Sequence, residues 1–490
     1  MLEIAVFLCG AVIMVIELTG SRVLAPYLGT SLVVWTSLIG IILASLSLGY
    51  WWGGRLADRR PEARLLGRII LLAALATAAI AATKSLVLGF LQSQGAGLHT
   101  AAVWATLLLF APPSVLLGMV APFAVRLKLA DTRTGGRTAG NLYAVSTIGS
   151  IVGTFLAGFV LIAWLGSTNI LLLMAAVLAI ASFLAARSGA AIKTAAGALF
   201  LILSLIAWGY DAQLRSAGFV DTDTAYNRVI VFKGAESHTG RLMRVMATGP
   251  HARQSAMYLD DPTALALPYT RYFRLVEHFV PELRRLLVLG GGGFSFPKYA
   301  LAHYPDVAVD VVELDPGVIA LSRDYFELKD HPRQGIIAED ARTFLNRNRK
   351  TYDAILCDTF NSHYAVPFHL TTLEAAQRMK SALAPHGVVL VNLLSSPVGE
   401  CSRFLQALAA TYRAVFPRVL AFAVGNPRDP SCWQNVMLAA FAAPEETSLA
   451  SPDPDMSAML ARRFDVPVPA SDPILTDDYA PVDRYIMPAW

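Results

Sequence analysis

Four strand-like apolar runs in the second half of this 490-residue chain end in residues able to do chemistry. LLVLG at 286–290 runs into Gly290, Gly291, Gly292 and Gly293; VAVDVVELD at 307–315 carries Glu313; GIIAED at 335–340 ends on Asp340; and YDAILCD at 352–358 ends on Asp358. A glycine turn lets a ligand approach the backbone closely, with a helix N-terminus beyond it. Glu313, 23 residues past Gly290, stands where a carboxylate can take both hydroxyls of a ribose. Asp340 is placed to accept from an adenine amino group, and Asp358 to face whatever lies in the crevice. Ser295 and Phe296 follow the glycines, so there is no strict GxGxxG. That argues against a nicotinamide dinucleotide and favours an adenosyl-sulfonium ligand. A glycine turn or a carboxylate taken singly is commonplace; four such features at successive strand ends form a joint signal.

Positioning these groups takes a sheet. GVVLVNLL (387–394), RVLAFAV (418–424) and NVMLAAF (435–441) bring the strand-like runs to seven. Helical segments separate the earlier ones, which predicts a doubly wound, mostly parallel, seven-stranded Rossmann-like sheet over 263–490. Ligands of such sheets sit beyond the carboxyl ends of the strands. Short alternating runs at Tyr226–Phe232, Leu242–Ala247 and Ser255–Leu259 predict a small antiparallel β domain over 218–262.

The first 210 residues are a different object. The whole chain is 55% hydrophobic and 16% charged, with a net charge of +4 and a mean hydropathy of +0.50. Those values exclude a disordered chain and argue against a wholly soluble enzyme. Residues 1–210 hold 13 Lys/Arg against 5 Asp/Glu, whereas 211–490 hold 27 against 31. Apolar runs near 2–19, 32–50, 69–88, 101–121, 143–164, 168–186 and 194–210 predict a multi-pass α-helical membrane bundle of about seven helices, with the lipid bilayer as partner. The first run has the features of a retained helix, not of a cleaved signal. Gly149, Gly153 and Ala157 form a small-xxx-small row suited to close helix packing. Glu17 is an acid inside a membrane segment, which reads either as a functional group or as a structural tie to Arg22. Basic residues gather in three loops: Arg55, Arg59, Arg60, Arg64 and Arg68; Arg126, Lys128, Arg133 and Arg137; Arg187 and Lys193. These loops and the N-terminus are expected to face the cytoplasm. If 194–210 also crosses, the second half emerges outside. Because a sulfonium donor is made in the cytoplasm, a cytoplasmic second half on an inner-membrane anchor is the expectation.

With these residues in hand, the second half resembles the spermidine synthase (polyamine aminopropyltransferase) branch of the S-adenosylmethionine-dependent transferase fold. The matching stretches are the small β domain, VLGGGG, VVELDP, AEDARTFL and YDAILCDTFN. ELTGSRVLAPYLGTS, LGYWWGGRLADR and NLYAVSTIGSIVGTFLAGFVL in the first half, with LTDDYAPVDRY at 475–485, are similar to fused transmembrane spermidine synthase-like proteins. The resemblance implies that Glu313 holds the ribose and Asp340 the adenine. It also implies that Asp358, the first acid of D-x-x-D, binds and deprotonates an attacking amine, with Tyr269 at the tyrosine of Tyr-x-Glu. Tyr364 is the candidate for closing over the donor. The donor implied is S-adenosylmethionine or its decarboxylated form, with methylthioadenosine released.

Three departures bear on the acceptor. Gly293 replaces the Asp of GGGDG, Asn361 the second acid of D-x-x-D, and Arg271 the Glu of Tyr-x-Glu. Each lost acid removes a charge-assisted contact worth about 1.5–3 kcal/mol, so simple putrescine is not the expected acceptor. Intramolecular cleavage or cyclisation of the donor, and plain methyl transfer, are enzymatic alternatives. A non-catalytic nucleoside or polyamine sensor or transporter is the alternative of another class. Cys9, Cys357, Cys401 and Cys432 lack metal-like spacing and read as buried small hydrophobes, so no metal is expected. His363 and His369 read as idle loop histidines, and Arg342, Arg347 and Arg349 as a solvated helix face. No basic stripe interleaved with aromatics points to nucleic acid; the partner expected is a small-molecule amine or amphipathic substrate, and likeness to soluble aminopropyltransferases leaves a homodimer open.

Overall fold

Apolar character decides where helices form in the first unit. The computed structural model describes residues 1–94, 97–129, 135–186, 190–248, 253–359, 366–426, 434–467 and 474–486. The described chain divides into two compact units, Met1–Arg228 and Val229–Trp490.

The first unit is helical. Among the described residues six helices are long and apolar enough to cross a membrane: Leu2–Leu28, Leu32–Arg59, Ala63–Ser93, Gly135–Leu161, Ser167–Ala185 and Thr194–Ser216. A seventh span results if Leu98–Leu109 and Ala111–Lys128, bent by 50° at Phe110, count as one. Pro112 and Pro113 at the bend supply no backbone N–H, which accounts for the break. The side chains say where that pair runs. At one end of the unit Arg126 Nε lies 3.2 Å from Asp58, and Lys128 pairs with Glu3. At the other, Gln92 donates to the Tyr27 carbonyl (2.8 Å) and Lys84 Nζ to Thr168 Oγ1 (2.7 Å). The bent pair starts at the Gln92 end and finishes beside Glu3 and Asp58, so it traverses the unit and does not turn back.

Small residues set the helix spacing. A Cβ on Gly149 would lie 2.1 Å from the Phe7 carbonyl oxygen, and one on Gly153 would lie 2.2 Å from that of Ala11. Gly49, in the LGYWWGG stretch, would meet the Val115 carbonyl at 2.3 Å. Backbones this close are what small-residue interfaces permit. Glu17 sits half-buried on the first helix, and Arg22 donates to the Ala225 carbonyl.

Twelve strands follow: β1 (Val220–Asp223), β2 (Arg228–Ala235), β3 (Leu242–Ala247), β4 (Arg253–Tyr258), β5 (Arg285–Leu289), β6 (Ala308–Glu313), β7 (Gln334–Ala338), β8 (Tyr352–Cys357), β9 (Leu383–Ser395), β10 (Arg418–Ala423), β11 (Gln434–Phe441) and β12 (Arg463–Phe464). In the second unit β2, β3 and β4 pair antiparallel. The larger sheet runs β12-β10-β11-β9-β8-β5-β6-β7. Strands β5 to β9 are mutually parallel, while β11, β10 and β12 add antiparallel at one edge. The sheet therefore has eight strands and not the expected seven. The extra one, β12, is two residues long, too short to show an alternating pattern in sequence. Two apolar layers cover the faces of the sheet, one around Phe404, Leu408 and Tyr412, the other around Phe273, Phe279 and Phe296.

The order of strands positions the site. From β5 the chain steps through β6 to β7, then returns to place β8 on the other side of β5. A crevice opens beyond the carboxyl ends at such a reversal. The strand-end residues expected from sequence, Gly290, Glu313, Asp340 and Asp358, all follow or close these parallel strands.

The helix packing is open to test. Gly149→Ala and Gly153→Ala should each cost roughly 1–3 kcal/mol, read as a lower midpoint of thermal unfolding in detergent. Gly140→Ala, whose Cβ meets nothing within 4 Å, should leave the midpoint unchanged or raise it. Equal midpoints for all three variants would contradict the close approach.

Candidate functional site

The tips of β5 and β8 meet too closely for a side chain. Leu289 is in register with Cys357, and the Asp358 amide donates to the Leu289 carbonyl (2.8 Å). A Cβ on Gly290 would lie 2.0 Å from the Asp358 carbonyl oxygen, and Gly290 has φ +91°, in the left-handed region. Glycine is required there on both grounds. The turn then passes across the end of β6, where Glu313 Oε2 accepts from the Gly291 and Gly292 amides at 2.8 and 3.0 Å and Oε1 from the Asp315 amide at 3.0 Å. Three of the carboxylate's roughly four lone-pair sites are thereby used.

These tips border a cavity of about 350 Å³. Gly290, Gly291, Gly292, Glu313, Asp340, Asp358 and Tyr269 all line it, so seven of the residues singled out in sequence share one space. Gly293 does not line it: its amide donates to Ser255 Oγ (2.8 Å), under β4. Glu17 lies in the helical unit and is not among the lining residues. Asn361 and Tyr364, like His363, fall outside the described residues.

Asp358 is the electrostatic centre. Burial pushes its carboxyl up to about 6, and the nearby Glu313 charge adds to this; hydrogen bonds from Asn392 and Tyr269 pull the other way. Asn392 Nδ2 donates to Asp358 Oδ1 (2.9 Å), and Asn435 Nδ2 in turn donates to Asn392 Oδ1 (3.0 Å). The Tyr269 phenol faces two acceptors, the Gln254 carbonyl at 3.1 Å and the Asp358 carboxylate. Burial and the Asp358 charge hold that phenol well above its ordinary range, so it remains a donor. Burial likewise raises Glu313, against the opposing pull of the backbone amides.

Asp340 is less free than expected. Its Oδ1 caps the helix Ala341–Arg347 by accepting from the Thr343 amide (2.8 Å), and its Oδ2 lies 3.2 Å from His369 Nε2. Burial pushes this carboxyl up, but the Thr343 amide and His369 together hold it below its ordinary value.

Two bland sequence readings change here. His369 lines the cavity and pairs with Asp340, so it is not idle. Arg342 is no solvated face residue: it donates to the His369 carbonyl (3.0 Å), to Thr372 Oγ1 (3.1 Å) and to Asp477 Oδ2 (2.6 Å). Through Asp477 the LTDDYAPVDRY stretch braces the turn Phe368–Leu370 from behind. Asn392 and Asn435 were missed. Their signal was an amide inside the otherwise apolar VVLVNLL, which a buried strand tolerates only with partners. Among the described residues no group of three or more His, Cys, Asp or Glu is arranged to hold a metal.

The raised Asp358 value has a sign that can be checked. Its folded value of about 6 exceeds the ordinary 3.8, so between about pH 4 and 6 the folded chain binds more protons than the unfolded one. The contribution of Asp358 to stability therefore falls as pH rises through that window and is constant above it. Asp358→Asn removes the effect. The thermal midpoint of the variant should gain on that of the unsubstituted protein between pH 4.5 and 7.5, by a few degrees. A gap independent of pH would show that the carboxyl is not held up by burial.

Residues 271–446 match the spermine/spermidine synthase domain family. A polyamine aminopropyltransferase of Vibrio vulnificus is 30% identical over 203 residues, 41% of this chain and 65% of that protein. One from Chromobacterium violaceum is 33% identical over 154 residues, 31% of this chain and 58% of its own length. The chain thus spans less than two thirds of either relative. A crystal structure of a probable spermidine synthase from Corynebacterium glutamicum aligns at 24% identity with a TM-score of 0.42, over 49% of this chain and 85% of that one. The second unit of the chain therefore resembles the spermine/spermidine synthase domain over residues 271–446.

Proposed function

We propose that the protein is a membrane-anchored alkyltransferase of the spermidine synthase type, which takes S-adenosylmethionine or its decarboxylated form and releases methylthioadenosine. The observation that carries this is Asp358, a half-buried carboxylate between a phenol and an amide, beside the Gly290 turn and Glu313. Gly290 to Gly292 and Glu313 would seat the nucleoside. A neutral amine attacks the alkyl carbon next to the sulfonium; a C–N bond forms, the C–S bond breaks, and its electron pair passes to sulfur. The proton lost by the amine goes to Asp358, whose value near 6 leaves it ionised at neutral pH and able to accept. The negative carboxylates also stabilise the departing positive charge.

The acceptor we propose is not a simple diamine. Arg271, standing at the Glu of Tyr-x-Glu, is turned to the Leu265 carbonyl (3.0 Å) and toward Glu236 (3.7 Å), and does not line the cavity. No carboxylate from that position awaits a distal ammonium. Methylthioadenosine release from the full chain in detergent, with each donor and a panel of amines, tests the reading. Asp358→Asn should lower that rate at least about a hundredfold while keeping methylthioadenosine affinity, and the rate should fall as pH drops below about 6. Failure of both donors and methylthioadenosine to bind would end the proposal. Release without any amine would move it to intramolecular cleavage.

For sidedness we propose that the basic ends decide. Arg59, Arg60, Arg64 and Arg126 lie at the Glu3–Asp58 end of the helical unit, whereas Asp223 accepts from the Ser167 amide (2.8 Å) at the opposite end. With basic ends inward, the chain reaches Arg228 on the outer face, in place of the cytoplasmic side expected from the origin of the donor. Topology reporters inserted at 60–62 and fused after Arg228 should report opposite sides of the membrane. Reports from the same side would restore the cytoplasmic placement and remove the need for the donor to reach the outer face.

A further inference from the structure

Resting on the nucleoside-binding reading above, we infer that the donor tail carries a carboxylate: the ligand is S-adenosylmethionine itself, and the group transferred is 3-amino-3-carboxypropyl. Three features at and behind the β4 edge of the cavity support this.

The first is steric. At Gly293 an acidic side chain is not merely missing; it has no room. A Cβ there would lie 2.9 Å from Ser255 Cβ and 3.0 Å from the Phe326 ring, both packed in place. Ser255 is held to this spot by the Gly293 amide. An ammonium-terminated tail therefore finds no carboxylate from this turn.

The second is charge. Arg253, two residues before Ser255 on the same strand, lines the cavity. It is the one guanidinium among the described lining residues, and no described residue forms an ion pair with it. In a cavity otherwise bordered by Glu313, Asp340 and Asp358, a cation at the rim repels an ammonium-only tail and attracts a carboxylate, which it can grip through two parallel N–H donors.

The third is an orphan acceptor. The Gln254 amide oxygen, between these two residues, is buried with no hydrogen-bond partner. A buried acceptor without a partner is costly until something donates to it. An amino-acid tail supplies both charges: its carboxylate meets Arg253, and its α-ammonium can take the Gln254 amide oxygen once that side chain turns out into the cavity. The decarboxylated tail supplies the second and opposes the first. In the transfer step the atoms balance as before, with the acceptor gaining the whole aminocarboxypropyl group and methylthioadenosine leaving.

Titration calorimetry on the full chain in detergent, using S-adenosylmethionine, decarboxylated S-adenosylmethionine and methylthioadenosine, tests this. S-adenosylmethionine should bind more tightly than the decarboxylated donor. Arg253→Gln should weaken S-adenosylmethionine by about tenfold to a hundredfold while leaving methylthioadenosine, which has no amino-acid tail, unchanged. Gln254→Glu, which sets a carboxylate beside the ammonium, should shift preference toward the decarboxylated donor. Equal or tighter binding of the decarboxylated donor by the unsubstituted chain would overturn the inference while leaving nucleoside binding intact. So would a loss in Arg253→Gln that methylthioadenosine shares. No binding of methylthioadenosine at all would instead remove the reading on which it rests.

Discussion

The site depends on two strand tips brought together where a side chain cannot fit. Parallel pairing puts Leu289 level with Cys357, and the next residue of β8 presents its carbonyl oxygen where a Cβ on residue 290 would stand, 2.0 Å away. Only glycine resolves that contact, and its positive φ turns the chain across the end of β6. There the amides of Gly291 and Gly292 reach Glu313. The same closeness brings the Asp358 carboxyl within reach of the Glu313 charge and out of water. Burial, charge and hydrogen bonding at Asp358 thus all follow from the pairing of β5 with β8. Larger side chains at 290 would disturb the acid even though they never touched it.

Parts of this were readable from residue order alone, because they obey short-range rules. Seven of the eight strands of the large sheet announce themselves as apolar runs, and the polar groups that matter follow where those runs stop. β12 does not, since two residues carry no period. The antiparallel edge was hidden for a related reason: β10 and β11 pair directly with each other, and a run of apolar residues does not state its direction. Side-chain allegiance was the other blind spot. Asp340 was legible as a strand-end acid, but its service as the cap of Ala341–Arg347 depends on a local turn, and its pairing with His369 on a contact 29 residues away. Arg342 looked solvated in a basic stretch. It is instead bound to Asp477, 135 residues on, and a charge on a helix says nothing of a partner that distant. Gly293 was grouped with its neighbours by identity, yet its amide turns to Ser255 and away from the cavity.

The helical unit follows a different constraint. Hydrophobicity gives little reason for one apolar helix to prefer another inside lipid, so association depends on close packing and polar contacts. Gly149 and Gly153 let the Gly135–Leu161 helix touch Phe7 and Ala11 backbone to backbone, and Gly49 does the same against Val115. Polar ties then gather at the ends: Lys128 with Glu3 and Arg126 with Asp58 at one, Lys84 with Thr168 and Trp208 with Asn169 at the other. Because these ties mark both ends, they settle the course of the broken segment around Phe110, which hydropathy alone leaves open between a span and a re-entrant loop.

Around Asp358 the chain keeps a nucleoside-compatible floor and changes the walls. The residues that would seat a ribose and accept a proton are in place, while the positions that would hold ammonium groups are glycine under Ser255, or an arginine turned to Glu236. Losing a counter-charge from a buried wall is not neutral: a cationic tail brought there would be desolvated without compensation, and such a penalty exceeds what one hydrogen bond returns. Arg253 lines the same cavity, beside Gln254, whose amide oxygen has no partner. Taken together, the exchanged positions withdraw acids from the walls and leave Asp358, hydrogen-bonded by Asn392, at the centre of the cavity.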